Sequence, residues 1–244
     1  MMEWSTAPPV FELGDGRVHV WRVSLAPGRD RLGRAWELLA PPERRRALRM
    51  RFPVHRARRV ASRAALRILL GRYLGIAPAE VPIVLEPSGR PVLADARLRF
   101  SVAHAGPLAL YAFAADRAVG IDVERLRREV PFQRLAARFF AAAEVEALGA
   151  LPPGVVPAAF FACWTRKEAL FKAWGGEGGL VPALKRFAVG VAPREPRVSV
   201  TLGGEPAPSE RWELATLDAG PGFAAALAIE IPAAPTCFRF DWPA

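Results

Sequence analysis

Apolar and polar positions follow the same order twice along this chain. VHVWRVSL (Val18–Leu25) and AVGIDVERL (Ala118–Leu126) read as strands, rich in β-branched residues. About 45 residues further on in each half comes a helical stretch, RRVASRAALRILLGRYLG (Arg58–Gly75) in the first and FFACWTRKEALFKAWGG (Phe160–Gly176) in the second. Each runs out in glycine, a common stop signal. Strand-like segments follow both: VPIVLEP and LRFSV, then RFAVGVAP and RVSVTL. Each half also carries an Ala-Gly-Pro turn before an apolar run, in SVAHAGPLALYAFA and ATLDAGPGFAAALAI, which is a hairpin signal.

The doubled order predicts an α+β protein of two pseudo-symmetric subdomains, residues 1–117 and 118–244. Each would be a small, mostly antiparallel sheet packed on a long helix, with the active site in a cleft between them. A strand at Ala118–Leu126 would line that cleft.

With 244 residues, 52% hydrophobic and 24% charged, the chain has the composition of a globular protein. MMEWSTAPPVFELGDG lacks the apolar centre of a signal peptide, and no apolar run approaches the ~20 residues that span a bilayer. Two cysteines are too few for a disulfide framework or a zinc site. The expectation is a soluble, cytoplasmic protein without a membrane partner.

Charge changes the picture. The net charge is +10, and residues 1–118 hold 20 Lys+Arg against 10 Asp+Glu, while residues 119–244 hold 14 of each. The excess lies in the first half, much of it between Pro41 and Arg67. Such a block suits an anionic partner: a phosphate, a nucleic acid or an acidic protein. A nucleic-acid binder would need a reader motif or interleaved aromatics, and this segment offers only Phe52.

Against that basic background Asp122 and Glu124 stand two apart on the predicted strand, so they share a side. In the second helix Trp164, Glu168 and Lys172 recur every fourth residue on one face. The chain has 31 arginines and three lysines, yet Lys167 and Lys172 both fall here. A flexible point charge of this kind suits a phosphate, although an ordinary Glu168–Lys172 pair is the simpler reading. Asp122, Glu124 and Glu168 together can hold one divalent ion, and an all-oxygen set favours magnesium with water and substrate phosphates. The chemistry pointed to is the opening of a phosphoanhydride.

VGIDVERLR, FFACWTRKEALFKAWGGEGGL and LKRFAVGV together resemble the Sfp-type 4′-phosphopantetheinyl transferases, with their paired signatures G-[IV]-D-[VI]-E and W-x-x-K-E-A-x-x-K. PPERRRALRMRF, PSGRPVL and FSVAHAGPLALYAFA resemble further motifs of that family, and the likeness covers roughly residues 18–192. It implies Mg²⁺-dependent transfer of the phosphopantetheine arm of coenzyme A to a serine of an apo acyl or peptidyl carrier protein, releasing adenosine 3′,5′-bisphosphate. By the same resemblance Asp122, Glu124 and Glu168 bind the metal, and Lys172 and Lys167 neutralise phosphate charge. Glu168 is the first candidate for the base that takes the serine proton, with Glu124 as the other. Arg44, Arg46, Arg58 or Arg59, and His104 match the family's 3′-phosphate contacts, and Arg90 its adenine contact. The first subdomain would thus hold the nucleotide and the second the metal and catalytic groups. A non-catalytic carrier-binding relative is the remaining alternative. The family commonly has serine on both sides of the histidine, where this chain has Ala103 and Ala105. Leu126–Phe140 resembles the carrier-docking region or, equally, an ordinary amphipathic helix. With the metal set inside one chain, a monomer is expected.

Overall fold

A computed structural model describes all residues except 1–3, 9–10, 15, 27, 96–97, 176–179, 196–199, 203–204, 207–211, 232–235 and 243–244. The chain divides into two units: residues 1–99, 104–115 and 236–244 form one, and residues 100–103 and 116–235 the other.

The first unit begins with β1 (Ser5–Thr6) and β2 (Arg17–Ser24), followed by α1 (Arg29–Glu37), α2 (Pro41–Leu48) and α3 (Pro53–Leu74). A hairpin of β3 (Ile83–Leu85) and β4 (Pro91–Leu93) leads to β5 (Arg99–Ala105), whose residues 100–103 belong to the second unit, and to β6 (Leu108–Ala114). Proline fits the first turn of α3, where its missing N–H costs no bond, and Gly75 ends the helix at φ +67°. The helix then lies against strands through polar anchors as well as apolar burial. Buried Tyr111 of β6 donates its hydroxyl to the Ser62 carbonyl at 2.8 Å. The Tyr73 hydroxyl accepts from Trp21 Nε1 at 2.8 Å and stands 2.7 Å from His19 Nδ1, both on β2. The predicted turn at Gly106-Pro107 forms, with Gly106 at φ +59°.

The second unit contains β7 (Val119–Arg125), α4 (Phe132–Phe139), α5 (Ala142–Gly149), α6 (Val156–Ala173), α7 (Leu180–Lys185), β8 (Phe187–Val189), β9 (Val200–Leu202), β10 (Glu205–Pro206), β11 (Trp212–Leu217) and β12 (Phe223–Glu230). Strands β11-β12-β7 form one antiparallel sheet and β10-β9-β8 another. Of the predicted strand RVSVTL, residues 197–199 lie outside the described residues, as do 176–179 of the glycine run. The core gathers Phe160, Phe161, Cys163 and Leu170 of α6 with Phe140, Phe187 and Leu214. α4 turns Phe132, Leu135 and Phe139 onto that core and leaves Arg134 and Arg138 exposed.

The chain then returns to the first unit. β13 (Thr236–Trp242) inserts between β1 and β2, parallel to both, giving the order β1-β13-β2-β6-β5. The architecture is α+β, built from small, largely antiparallel sheets and helices. Among the described residues no helix is long and apolar enough to cross a membrane.

Candidate active site

Strand β7 carries two of the three carboxylates. It is buried from Val119 to Val123, so Asp122 is only 7% exposed. Its cross-strand neighbour is Ala226, and that of Glu124 is Ala224, so small side chains flank both acids. Glu124 is half-buried and faces Arg127 at 3.8 Å.

Helix α6 brings the third carboxylate, and Gly120 lets it do so. A Cβ at Gly120 would collide with the backbone of α6 at the Ala169 carbonyl and the Ala173 nitrogen. The absence of a side chain there lets helix and strand meet backbone to backbone. Lys172, on α6, donates to Asp122 Oδ1 at 2.6 Å and to the Ile121 carbonyl at 3.1 Å. Lys172 thus bridges helix and strand, beside its attraction to Glu168 within the helix.

Asp122 Oδ2 is buried and has no hydrogen-bond partner among the described residues. Burial first, then the charges of Asp122 and Glu124, push the Glu168 carboxyl up to about 7, with Lys172 pulling the other way. Glu124 is likewise raised, by burial and then by Asp122. Three carboxylates face one lysine and the exposed Arg127, so the cluster is short of positive charge. The described residues contain no ready-made cage of three acidic, histidine or cysteine side chains. The donor set fits a hard cation that takes one or two carboxylates and draws its other ligands from water and phosphate.

Lys167 is placed differently. It is fully buried, and its ammonium contacts both Glu144 oxygens at 2.7–2.8 Å and the Phe187 carbonyl at 2.6 Å. These bonds occupy all three donors, so the side chain serves the core and is not brought to the carboxylate cluster. Arg166, also fully buried, ties Gly190, Ala192 and Thr216 together. Sequence reasoning passed over Glu144, which also accepts the Ala141 and Val189 N–H groups. The glutamate three residues beyond the N-cap Ala141 was its one local signal.

The predicted nucleotide contacts all belong to the first unit. Arg44 and Arg46 lie on α2, Arg58 and Arg59 on α3. Arg44 donates to the Glu37 carbonyl at 3.0 Å, and Arg46 is exposed. Arg90 forms a two-point pair with Glu86 across the β3–β4 hairpin, at 2.8 and 3.1 Å. His104 is exposed on β5, while Ala103 and Ala105 on either side are buried. Alternation sends residues 103 and 105 to the face opposite His104, so hydroxyls there would not share its side of the strand.

Comparison with known proteins places the chain among the transferases. Residues 118–228 match the model of the 4′-phosphopantetheinyl transferase superfamily. The 4′-phosphopantetheinyl transferase HetI of Nostoc sp. is 38% identical over 197 residues, which cover 79% of this chain and 82% of that protein. The 4′-phosphopantetheinyl transferase AcpT of Salmonella typhimurium is 35% identical over 119 residues, 48% of this chain and 60% of that one. This chain belongs to the 4′-phosphopantetheinyl transferase family.

Proposed function

We propose that this enzyme transfers the 4′-phosphopantetheine arm of coenzyme A to a serine of an apo acyl or peptidyl carrier protein, releasing adenosine 3′,5′-bisphosphate. The observation that carries the reading is the Asp122–Lys172 pair beside Glu168: a largely buried acidic cluster in which one oxygen of Asp122 has no partner among the described residues.

Asp122, Glu124 and Glu168 would hold Mg²⁺, whose charge offsets that of the pyrophosphate as its bond opens. Asp122 fixes the ammonium of Lys172, whose side chain is 27% exposed. Glu168 is assigned as the acceptor of the serine proton, with Glu124 the second candidate. Arg44, Arg46, Arg58, Arg59 and His104 are assigned to the 3′-phosphate, where fixed cations suit a dianion, and Arg90 to the adenine side. The nucleophile belongs to the carrier, which accounts for the burial of Cys163 in the core, where its thiol is held well above its usual range. We place the enzyme in the cytoplasm, acting as a monomer.

The test is direct. Purified protein, coenzyme A, Mg²⁺ and an apo carrier should give one phosphopantetheine on the carrier serine by mass spectrometry. Failure with fatty-acid, polyketide and peptide-synthetase carriers alike would overturn the reading.

A further inference from the structure

Glu43 is the single carboxylate between Glu37 and Glu80, and residues 44–79 contain eleven arginines. It does not stand among them as a surface counter-charge. Its side chain is 14% exposed and turns inward from the first turn of α2. Oε2 accepts Arg67 Nε at 2.7 Å and the Ala40 N–H at 2.9 Å, and Oε1 faces Arg63 Nε at 3.4 Å. Arg67 continues the chain of contacts to the carbonyls of Pro78, Ala79 and Val81. One carboxylate thus grips two successive turns of α3.

α2 needs that grip. It has eight residues, opens on two prolines and buries only Ala47, so it is too short to be held by its own hydrogen bonds. Burial disfavours the Arg63 cation, Glu43 favours it most, Tyr111 favours it too, and Arg59 and Arg67 of its own helix repel it. Arg63 Nη1 is buried without a partner among the described residues, so Glu43 is its one ionic tie there. Without Glu43, Arg63 and Arg67 would lose the carboxylate that ties them to α2, and Arg63 would be left among like charges of its own helix.

We propose that Glu43 is a positioning residue: by clamping α2 to Arg63 and Arg67 it sets the spacing of the arginines on α2 and α3, so that together they receive one phosphate monoester. This rests on the reading of Arg44, Arg46, Arg58 and Arg59 as contacts to the 3′-phosphate of coenzyme A. Arg44 directly follows Glu43 on α2, and Arg59 precedes Arg63 by one turn on α3. A shift at the clamp therefore reaches both halves of the anion platform.

The experiment compares coenzyme A with 3′-dephospho-coenzyme A as donor, using the full chain and an apo carrier protein. E43Q should raise the KM for coenzyme A by about tenfold and move the KM for the dephospho donor less than about twofold. E43D, which keeps the charge, should recover part of the difference. R63Q loosens the clamp while sparing the Glu43–Arg67 pair, and should shift the donor preference in the same direction by less. It decides the matter if E43Q does not fold. Equal KM increases for both donors would reduce Glu43 to a stabilising role and overturn the proposal, as would an unchanged KM for coenzyme A. A wild-type enzyme that uses both donors equally would overturn the arginine assignment and the proposal together. One that transfers from neither would overturn the proposed function instead.

Discussion

The Lys172 ammonium meets Asp122 Oδ1 at 2.6 Å, while the other oxygen of that carboxylate is buried without a partner among the described residues. A carboxylate held on one side and open on the other is prepared for a second cation. Asp122→Ala should therefore lower the transfer rate by about 100-fold or more, because it removes both the proposed metal ligand and the anchor of Lys172. Lys172 is partly exposed and can turn to water, so the fold should survive. Transfer assays beside circular dichroism check this. Activity within a few-fold of wild type would remove Asp122 from the site.

Glu168 gives a pH signature. Its folded-state carboxyl lies at about 7, above the ordinary 4.5, so the folded protein holds this proton more tightly than the unfolded chain. The sign follows: with metal chelated, stability falls as pH rises from about 4.5 to 7, by up to roughly 3 kcal/mol. Glu168→Gln should be more stable than wild type at pH 8 and little different at pH 4.5. Urea unfolding at the two pH values measures the difference. Mg²⁺ should narrow the gap at pH 8 by stabilising only the wild type.

Gly120→Ala tests the approach of α6 to β7. The new methyl would strike the backbone of α6, which cannot swing aside as a side chain can. A loss of about 2–4 kcal/mol is expected, read as a lower thermal midpoint, together with a loss of transfer activity. A variant with both unchanged would show that the helix is not held this closely.

Lys167 and Glu144 form a fully buried pair. Lys167→Met should destabilise the protein by about 3–5 kcal/mol, because it strands the Glu144 charge in the core. The double variant Lys167→Met/Glu144→Gln should recover much of that stability. Activity per folded molecule should stay near wild type in the double variant. A selective fall in kcat there would return Lys167 to the catalytic machinery.

Local pattern made part of this structure legible. β2, β7, α3 and α6 appear where apolar periodicity set them, and Gly75 and Gly106 adopt the positive φ that their turns require. The stripe of Trp164, Glu168 and Lys172 placed an acid and a lysine on one helix face. The same arithmetic puts Lys167 about 140° round the helix from Lys172, so the period held the information that two neighbouring lysines could not share one task. β13 was not legible. TCFRFDW has no local reason to join the first unit, and its parallel pairing with β2 is decided by partners at the other end of the chain. Glu43 stayed hidden for a related reason: a lone acid in an arginine run reads as surface until α3 is folded against it.

That late strand has a consequence for biosynthesis. The sheet of the first unit is assembled from segments far apart in the sequence, with β13 lying between β1 and β2. As a nascent chain leaves the ribosome, β2 can pair with β6 on one side but must wait for β13 on the other while most of the second unit is made. The first unit is completed only after the second has been made, so a chain cut short before β13 would yield a second unit with its own sheets and a first unit whose sheet lacks the strand between β1 and β2.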